Sequence, residues 1–355
     1  MGANTPNGFY SLFNELYNPY DNWNMYIIKG GPGTGKSSLM KKIKKASEEN
    51  NYNTELIYCS SDPLSLDAVI IPELKTAIAD GTSPHIINPV FPGVCEHTID
   101  LSEYWNKNKL KINSSDIKRT TSDNSDFHKQ SIKYLKAAGV IDNEIKKISD
   151  NFINKEKADR FVSRICDKYL TPSNKNKSFC KKRFLSTVTP IGITIHFDSI
   201  FNTCDRIINI KDDNLFISDY ILKRINKYAE NKNINRILCM CPMNPENKID
   251  HIIFPDLRVS IFTSNIYHPL IKKTEENYSY KRFINETKYS DYKNKIYFLR
   301  KAKLELIGET VKSLENAKKT HDILESYYIA AMDFRGVSEM TDNLINEIFN
   351  VSRET

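Results

Sequence analysis

The feature that most constrains this chain is that it aligns with itself. Thr5-Pro6-x-Gly8 recurs as Thr189-Pro190-x-Gly192, and Lys29 matches Lys211 at an offset of 182, the next 14 positions aligning without a gap. Leu39-Met40-Lys41-Lys42-Ile43 falls on Ile221-Leu222-Lys223-Arg224-Ile225, and Tyr58-Cys59-Ser60-Ser61-Asp62-Pro63 on Met240-Cys241-Pro242-Met243-Asn244-Pro245. One residue further out of phase, the stretch 66–74 matches 249–257, and His85 matches His268. A shared order of apolar and turn positions over roughly eighty residues predicts two copies of one folding unit. At 355 residues the chain also exceeds what one hydrophobic core usually organises. The expected division is 1–181 and 182–355, with Ser173 to Lys182 as the linker.

Within the first copy, Met25-Tyr26-Ile27-Ile28-Lys29 is a short apolar run suited to a buried strand. Gly30-Gly31-Pro32-Gly33-Thr34-Gly35-Lys36-Ser37 follows and matches G-x-x-x-x-G-K-[ST] in full. Ser38 then opens a segment with helical spacing, Leu39 and Ile43 lying one turn apart. Strand, glycine loop and helix is the context this phosphate-binding motif requires. Glycines allow successive N–H groups to converge on an anion, and the helix directs its positive end at the same point. Gly30 to Ser38 are therefore the candidate nucleotide contacts. Lys36 is placed to reach the β- and γ-phosphates, and Ser37 to ligate Mg²⁺.

A Mg²⁺ site needs a carboxylate at the end of a neighbouring strand. Glu55 to Tyr58 read as the next strand. Thr76-Ala77-Ile78-Ala79 read as another, closed by Asp80-Gly81, so Asp80 is the metal-side candidate, with a plain turn aspartate as the alternative. Asp62, Asp67 and Glu73 follow the second strand, where a catalytic carboxylate could sit; helix capping and turn formation are their ordinary roles. The Asp-Glu pair of motor-type ATPases is absent, because Gly81 follows Asp80 directly.

The second copy departs at the chemistry. Asp212-Asp213-Asn214-Leu215-Phe216-Ile217-Ser218-Asp219 replaces the octet, and Thr263 stands for Asp80. Without glycines the loop is not expected to form a nest of N–H groups, and three carboxylates would repel a triphosphate. Asn247-Lys248-Ile249-Asp250 matches the guanine-reading NKxD. It follows no strand and sits in this altered copy, which argues against GTP.

Composition narrows the setting. Hydrophobic residues at 40% and charged residues at 27% exclude a largely disordered chain. No run approaches the roughly 18 apolar residues of a membrane span. Met1 to Pro6 lacks an export signal, and Pro6 stands where a myristoylation motif needs Ser or Thr. Seven irregularly spaced cysteines read as reduced thiols, so a cytoplasmic location is expected. The net charge of +7 is dispersed, as in Lys41-Lys42 or Lys181-Lys182-Arg183, which weighs against a nucleic-acid partner and leaves a protein partner open. The polar stretch 106–128 reads as an exposed loop. Ile132, Leu135, Ile145 and Ile148, and later Leu304, Ile307, Val311 and Leu314, keep helical stripes that follow each copy as packing faces.

Taken over the motif from Tyr26 to Ile43, with Cys59-Ser60-Ser61-Asp62-Pro63, Ile70 to Lys75 and Asp80 to His85, the chain resembles a family of bacterial tandem P-loop ATPases. The resemblance implies ATP binding and two three-layer α/β P-loop domains with mainly parallel sheets, each carrying a helical appendage. The altered second loop implies a single working site. Hydrolysis of ATP, phosphoryl transfer to a small molecule, and nucleotide sensing without turnover are the activities to separate.

Overall fold

The computed structural model describes residues 1–171, 178–270, 274 and 276–350. In chain order the first copy contains β1 (Gly2–Thr5), β2 (Gly8–Ser11), β3 (Asn24–Lys29), α1 (Lys36–Glu49), β4 (Glu55–Tyr58), β5 (Leu66–Ile71), β6 (Thr76–Asp80) and β7 (Glu96–Asp100). α2 (Lys107–Ile112), α3 (Ser114–Ser149) and α4 (Lys155–Tyr169) follow. The second contains β8 (Cys180–Arg183), β9 (Ser186–Thr189), β10 (Gly192–Ile195), α5 (Asp198–Phe201), β11 (Arg206–Lys211), α6 (Ser218–Asn231), β12 (Arg236–Met240), β13 (Ile249–Phe254), β14 (Val259–Ser264) and β15 (Glu276–Ser279). The chain closes with α7 (Glu286–Ile329) and α8 (Phe334–Asn350). Among the described residues no helix is long and apolar enough to cross a membrane.

The protein is α/β with mixed sheets. One sheet has the order β4-β5-β6-β3-β7 and the other β8-β12-β13-β14-β11-β15, so the second repeats the first with one added edge strand. β3 pairs in parallel with β6 and β7, as β11 does with β14 and β15. The β4–β5–β6 and β12–β13–β14 segments are antiparallel, because tight connections join them instead of crossover helices. The parallel expectation thus holds around β3 and β11 and gives way in these meanders. Even the irregularities repeat: the pairing register shifts between Ile57 and Tyr58 and between Cys239 and Met240. The Thr-Pro-x-Gly turns repeat too. Thr5 Oγ1 donates to the Gly8 carbonyl at 2.7 Å and Thr189 Oγ1 to the Gly192 carbonyl at 2.8 Å, with Gly8 and Gly192 at φ +105° and +109°.

Packing divides the chain into two compact units that interleave the copies. Unit 1 holds Met1–Gly2, Ser11–Gln130 and Lys312–Thr355; unit 2 holds Ala3–Tyr10 and Ser131–Val311. The division at 181/182 is therefore not the one that packing draws. In unit 1, Val337, Leu344 and Ile348 of α8 share a core with Ile28 of β3 and Leu39, Met40 and Ile43 of α1. In unit 2, Phe161, Val162 and Ile165 of α4 share a core with Ile221, Leu222 and Ile225 of α6. Each sheet is covered by the helix that follows the other copy, α4 with α6 and α8 with α1, through the apolar stripe that each carries.

Two expectations fail locally. The stretch 106–128 is helical, forming α2 and the first part of α3. Its Asn, Ser and Asp content favours loops in isolation, but tertiary bonds such as Asn124 Nδ2 to the Ala317 carbonyl (2.7 Å) hold it in a helix. Of the supposed linker, 173–177 lie outside the described residues, while Cys180 to Lys182 enter the edge strand β8. The seven cysteines are free thiols.

The unit 2 core contains an acid-sensitive group. His251 is 0% exposed, stacks on Phe262 with ring centroids 4.4 Å apart, and accepts the Thr263 N–H at Nδ1 at 3.1 Å. Burial, then the neighbouring His268, holds its pKa well below the ordinary 6.5. Below about 6.5 the unfolded ring takes up a proton that the folded ring does not, so stability falls as pH drops, by at most about 1.4 kcal/mol per pH unit for such a group. Thermal unfolding between pH 7.5 and 5.5 should show this decline, with a shallower slope for His251→Phe. Equal slopes would remove His251 as its source.

Candidate functional site

The geometry of the Gly30–Ser37 loop follows from the strand before it. Met25 to Ile28 are buried on both faces of β3, which ends the strand at the rim of the sheet and delivers the loop to the start of α1. Gly33 and Gly35 have φ of +67° and +92°, conformations that residues with a Cβ rarely hold. Lys36 is the first residue of α1. Its Nζ donates to the carbonyls of Gly30 (3.0 Å) and Gly31 (2.7 Å) and lies 3.6 Å from Asp80 Oδ2.

Asp80 closes β6, directly opposite Ile28 in the parallel pairing, so the loop lysine and the strand-end carboxylate meet at the C-terminal ends of these two neighbouring strands. Asp80 Oδ1 accepts the Thr82 N–H at 2.8 Å and the Thr82 hydroxyl at 2.5 Å, which orients the carboxylate. Ser37 Oγ accepts the Leu66 N–H at 3.0 Å. Hydroxyl and carboxylate oxygens are the donor types that Mg²⁺ takes, and Ser37 and Asp80 fit it by that chemistry.

The other carboxylates expected near the loop have separate roles. Asp62 forms a turn, accepting from Leu64 N (3.3 Å) and Ser65 Oγ (2.8 Å), with Lys318 Nζ 3.8 Å away. Asp67 is 4% exposed and lies 3.0 Å from His85 Nε2, and the His85 ring stacks on Phe13. Burial, then the charge of Asp67, pushes the Cys59 thiol well above its usual range, which disfavours the thiolate. Glu73 accepts from the backbone and side chain of Asn53, a surface bond.

Sequence reasoning missed what α7 brings. Gly33 N–H donates to Glu325 Oε1 at 3.1 Å. A Cβ on Gly33 would lie 2.9 Å from the Glu325 carbonyl, and one on Gly31 would lie 3.0 Å from Tyr328. These glycines serve close approach to α7 as well as loop curvature. The two partners are 292 residues apart, and no periodicity or motif could have joined them.

The corresponding loop of unit 2 overturns an expectation. Without a single glycine it still turns its N–H groups inward: Phe216 N donates to Asp212 Oδ1 (3.0 Å), and Ile217 N and Ser218 N to Asp212 Oδ2 (2.9 Å each). Leu215, aligned with Gly33, holds the same left-handed backbone at φ +57°. Asp212 is 0% exposed. Its carboxylate fills the nest, so one of the three acidic residues is the anion that the loop cradles. Asp219, aligned with Ser37, accepts the Ile249 N–H at 3.3 Å, the same contact that Ser37 makes with Leu66. Nearby Lys248 is half-buried, and its partial desolvation works against its charge, but Cys241, Asp142, Asp250 and Asp219 raise its pKa above the ordinary lysine range. A cleft of about 620 Å³ opens beside this loop, lined in part by Lys146, Lys155, Asn214, Phe216 and Lys223.

No protein-family model matches the chain, and neither a curated protein nor a solved structure matches it.

Proposed function

We propose that unit 1 is a P-loop ATPase domain that binds Mg²⁺·ATP through Gly30 to Ser38 and that unit 2 is a P-loop-like repeat without a nucleotide site. The observation that carries this reading is the convergence of Lys36 and Asp80, 3.6 Å apart, at the mouth of a strand–loop–helix with the complete octet. Lys36 would exchange the Gly30 and Gly31 carbonyls for β- and γ-phosphate oxygens, an exchange of neutral acceptors for anionic ones. Ser37 and Asp80 would hold Mg²⁺, which neutralises charge on the phosphates when bound. ATP is preferred to GTP because the NKxD match, Asn247 to Asp250, falls in unit 2, with Asp250 buried in β13.

Binding of ATP to wild type and Lys36→Ala tests the triphosphate assignment. Asp80→Asn tests the metal side. It should weaken Mg²⁺-dependent affinity about tenfold while leaving Mg²⁺-free binding within about threefold of wild type, since it removes charge and keeps the hydrogen-bonding shape. Equal losses with and without Mg²⁺ would take the metal role from Asp80.

A further inference from the structure

In each copy a carboxylate of the chain itself accepts from the loop, three N–H groups in unit 2 and one in unit 1, and the difference between them assigns a residue. In unit 2 the N–H groups that converge on Asp212 belong to Phe216, Ile217 and Ser218, which align with Thr34, Gly35 and Lys36. In unit 1 the N–H group immediately before that set, on Gly33, is held by Glu325 of α7. Glu325 therefore sits one residue beyond the anion cradle, at the rim. It is one-third exposed, and His321 Nδ1 is 3.8 Å from its Oε1.

Asp322 lies in one cluster with His321 and Glu325 and pairs with Lys318, and the other carboxylates near the loop have partners of their own. Asp80 faces Lys36, Asp62 holds its turn, Asp67 is buried against His85, and Asp100 caps a turn through Ser102 N–H at 2.8 Å. We infer that Glu325 is the general base of the ATPase reaction, acting on the water that attacks the γ-phosphate; this rests on the triphosphate reading above. The water oxygen bonds to the γ-phosphorus as the bond to the β,γ-bridging oxygen breaks. The nucleoside diphosphate leaves with that electron pair. The water proton passes to Glu325, which returns it to solvent after inorganic phosphate departs. The Gly33 N–H bond and the approach of His321 are both made at Oε1, which leaves Oε2 to take the proton, with Lys318 near enough to act on its charge. The site is then completed by α7, a helix that follows the other copy in sequence.

The test measures ATP turnover, and binding of a non-hydrolysed ATP analogue, for full-length wild type, Glu325→Gln and Lys36→Ala. Glu325→Gln should lower kcat about 10²-fold, the usual contribution of a positioned base. It should bind the analogue as well as wild type or a few-fold more tightly, because a negative charge beside the phosphates has been removed. Wild-type turnover in Glu325→Gln overturns the assignment. So does a loss of analogue binding as large as that of Lys36→Ala, which would make Glu325 a clamp on the loop. Analogue binding by wild type with no turnover refutes the base and leaves the binding reading standing. No analogue binding by wild type refutes both.

Discussion

Lys36→Ala should reduce ATP affinity about 10³-fold and abolish turnover. The side chain is only 13% exposed and is held by two loop carbonyls and Asp80, so its ammonium is already at the place where phosphate oxygens would arrive. Charge-assisted bonds to buried partners are each worth about 1.5–3 kcal/mol, and losing two of them corresponds to a change of roughly 10²–10⁴ in affinity. The loop itself should survive. Its curvature rests on Gly33 and Gly35, on Thr34 Oγ1 donating to the Gly31 carbonyl at 2.9 Å, and on contacts with α7. Titration with ATP should therefore show lost binding with thermal stability within about 1 kcal/mol of wild type, as expected when no core packing is removed. Unchanged affinity would refute the nucleotide reading.

The parts of this structure that were legible in the sequence are those written in local pattern. The octet sits between Met25–Lys29 and Leu39–Ile43, where the switch from an apolar run to helical spacing marks strand, loop and helix. The duplication was legible because the two copies keep their apolar positions in step, and the pairing of β3 and β11 repeats accordingly. What was not legible is which partner an amphipathic helix chooses. The stripe of α4 fits α6 and that of α8 fits α1, and nothing in either stripe says that each packs on the sheet of the other copy. The first part of α3 was misread for a related reason. Its helical state depends on distant partners such as Ala317, while residue propensity speaks only for the isolated segment.

The same limit explains the misreading of Asp212. Counting charges in the altered loop treats three aspartates as equivalent repulsive groups. Geometry separates them: Asp212 is enclosed by N–H groups, Asp219 faces Lys223 at 2.8 Å, and Asp213 faces Lys211 at 3.9 Å. Glycine was also less necessary than expected, because an internal anion bonded to three N–H groups offsets the strain of a leucine in the left-handed region.

Asp212→Ala should accordingly destabilise unit 2 strongly. It leaves the N–H groups of Phe216, Ile217 and Ser218 buried without their acceptor, in a loop whose backbone is already strained at Leu215. Each orphaned donor costs about 1–3 kcal/mol, and partial relaxation of the loop brings the sum to about 3–5 kcal/mol. Hydrogen exchange reads this locally: protection at Phe216, Ile217 and Ser218 should fall about 10²–10³-fold, since each factor of ten is about 1.4 kcal/mol. Asp212→Asn should lose nearly as much, because its amide group can accept through one oxygen only and turns a donor toward the remaining N–H groups. Millimolar sulfate should restore part of the lost protection in Asp212→Ala and none in wild type, because only the variant has an open nest beside the cleft. Wild-type protection in Asp212→Ala without added anion would show that the loop does not depend on its internal carboxylate. The idea that unit 2 carries its own substitute for a phosphate would then fall.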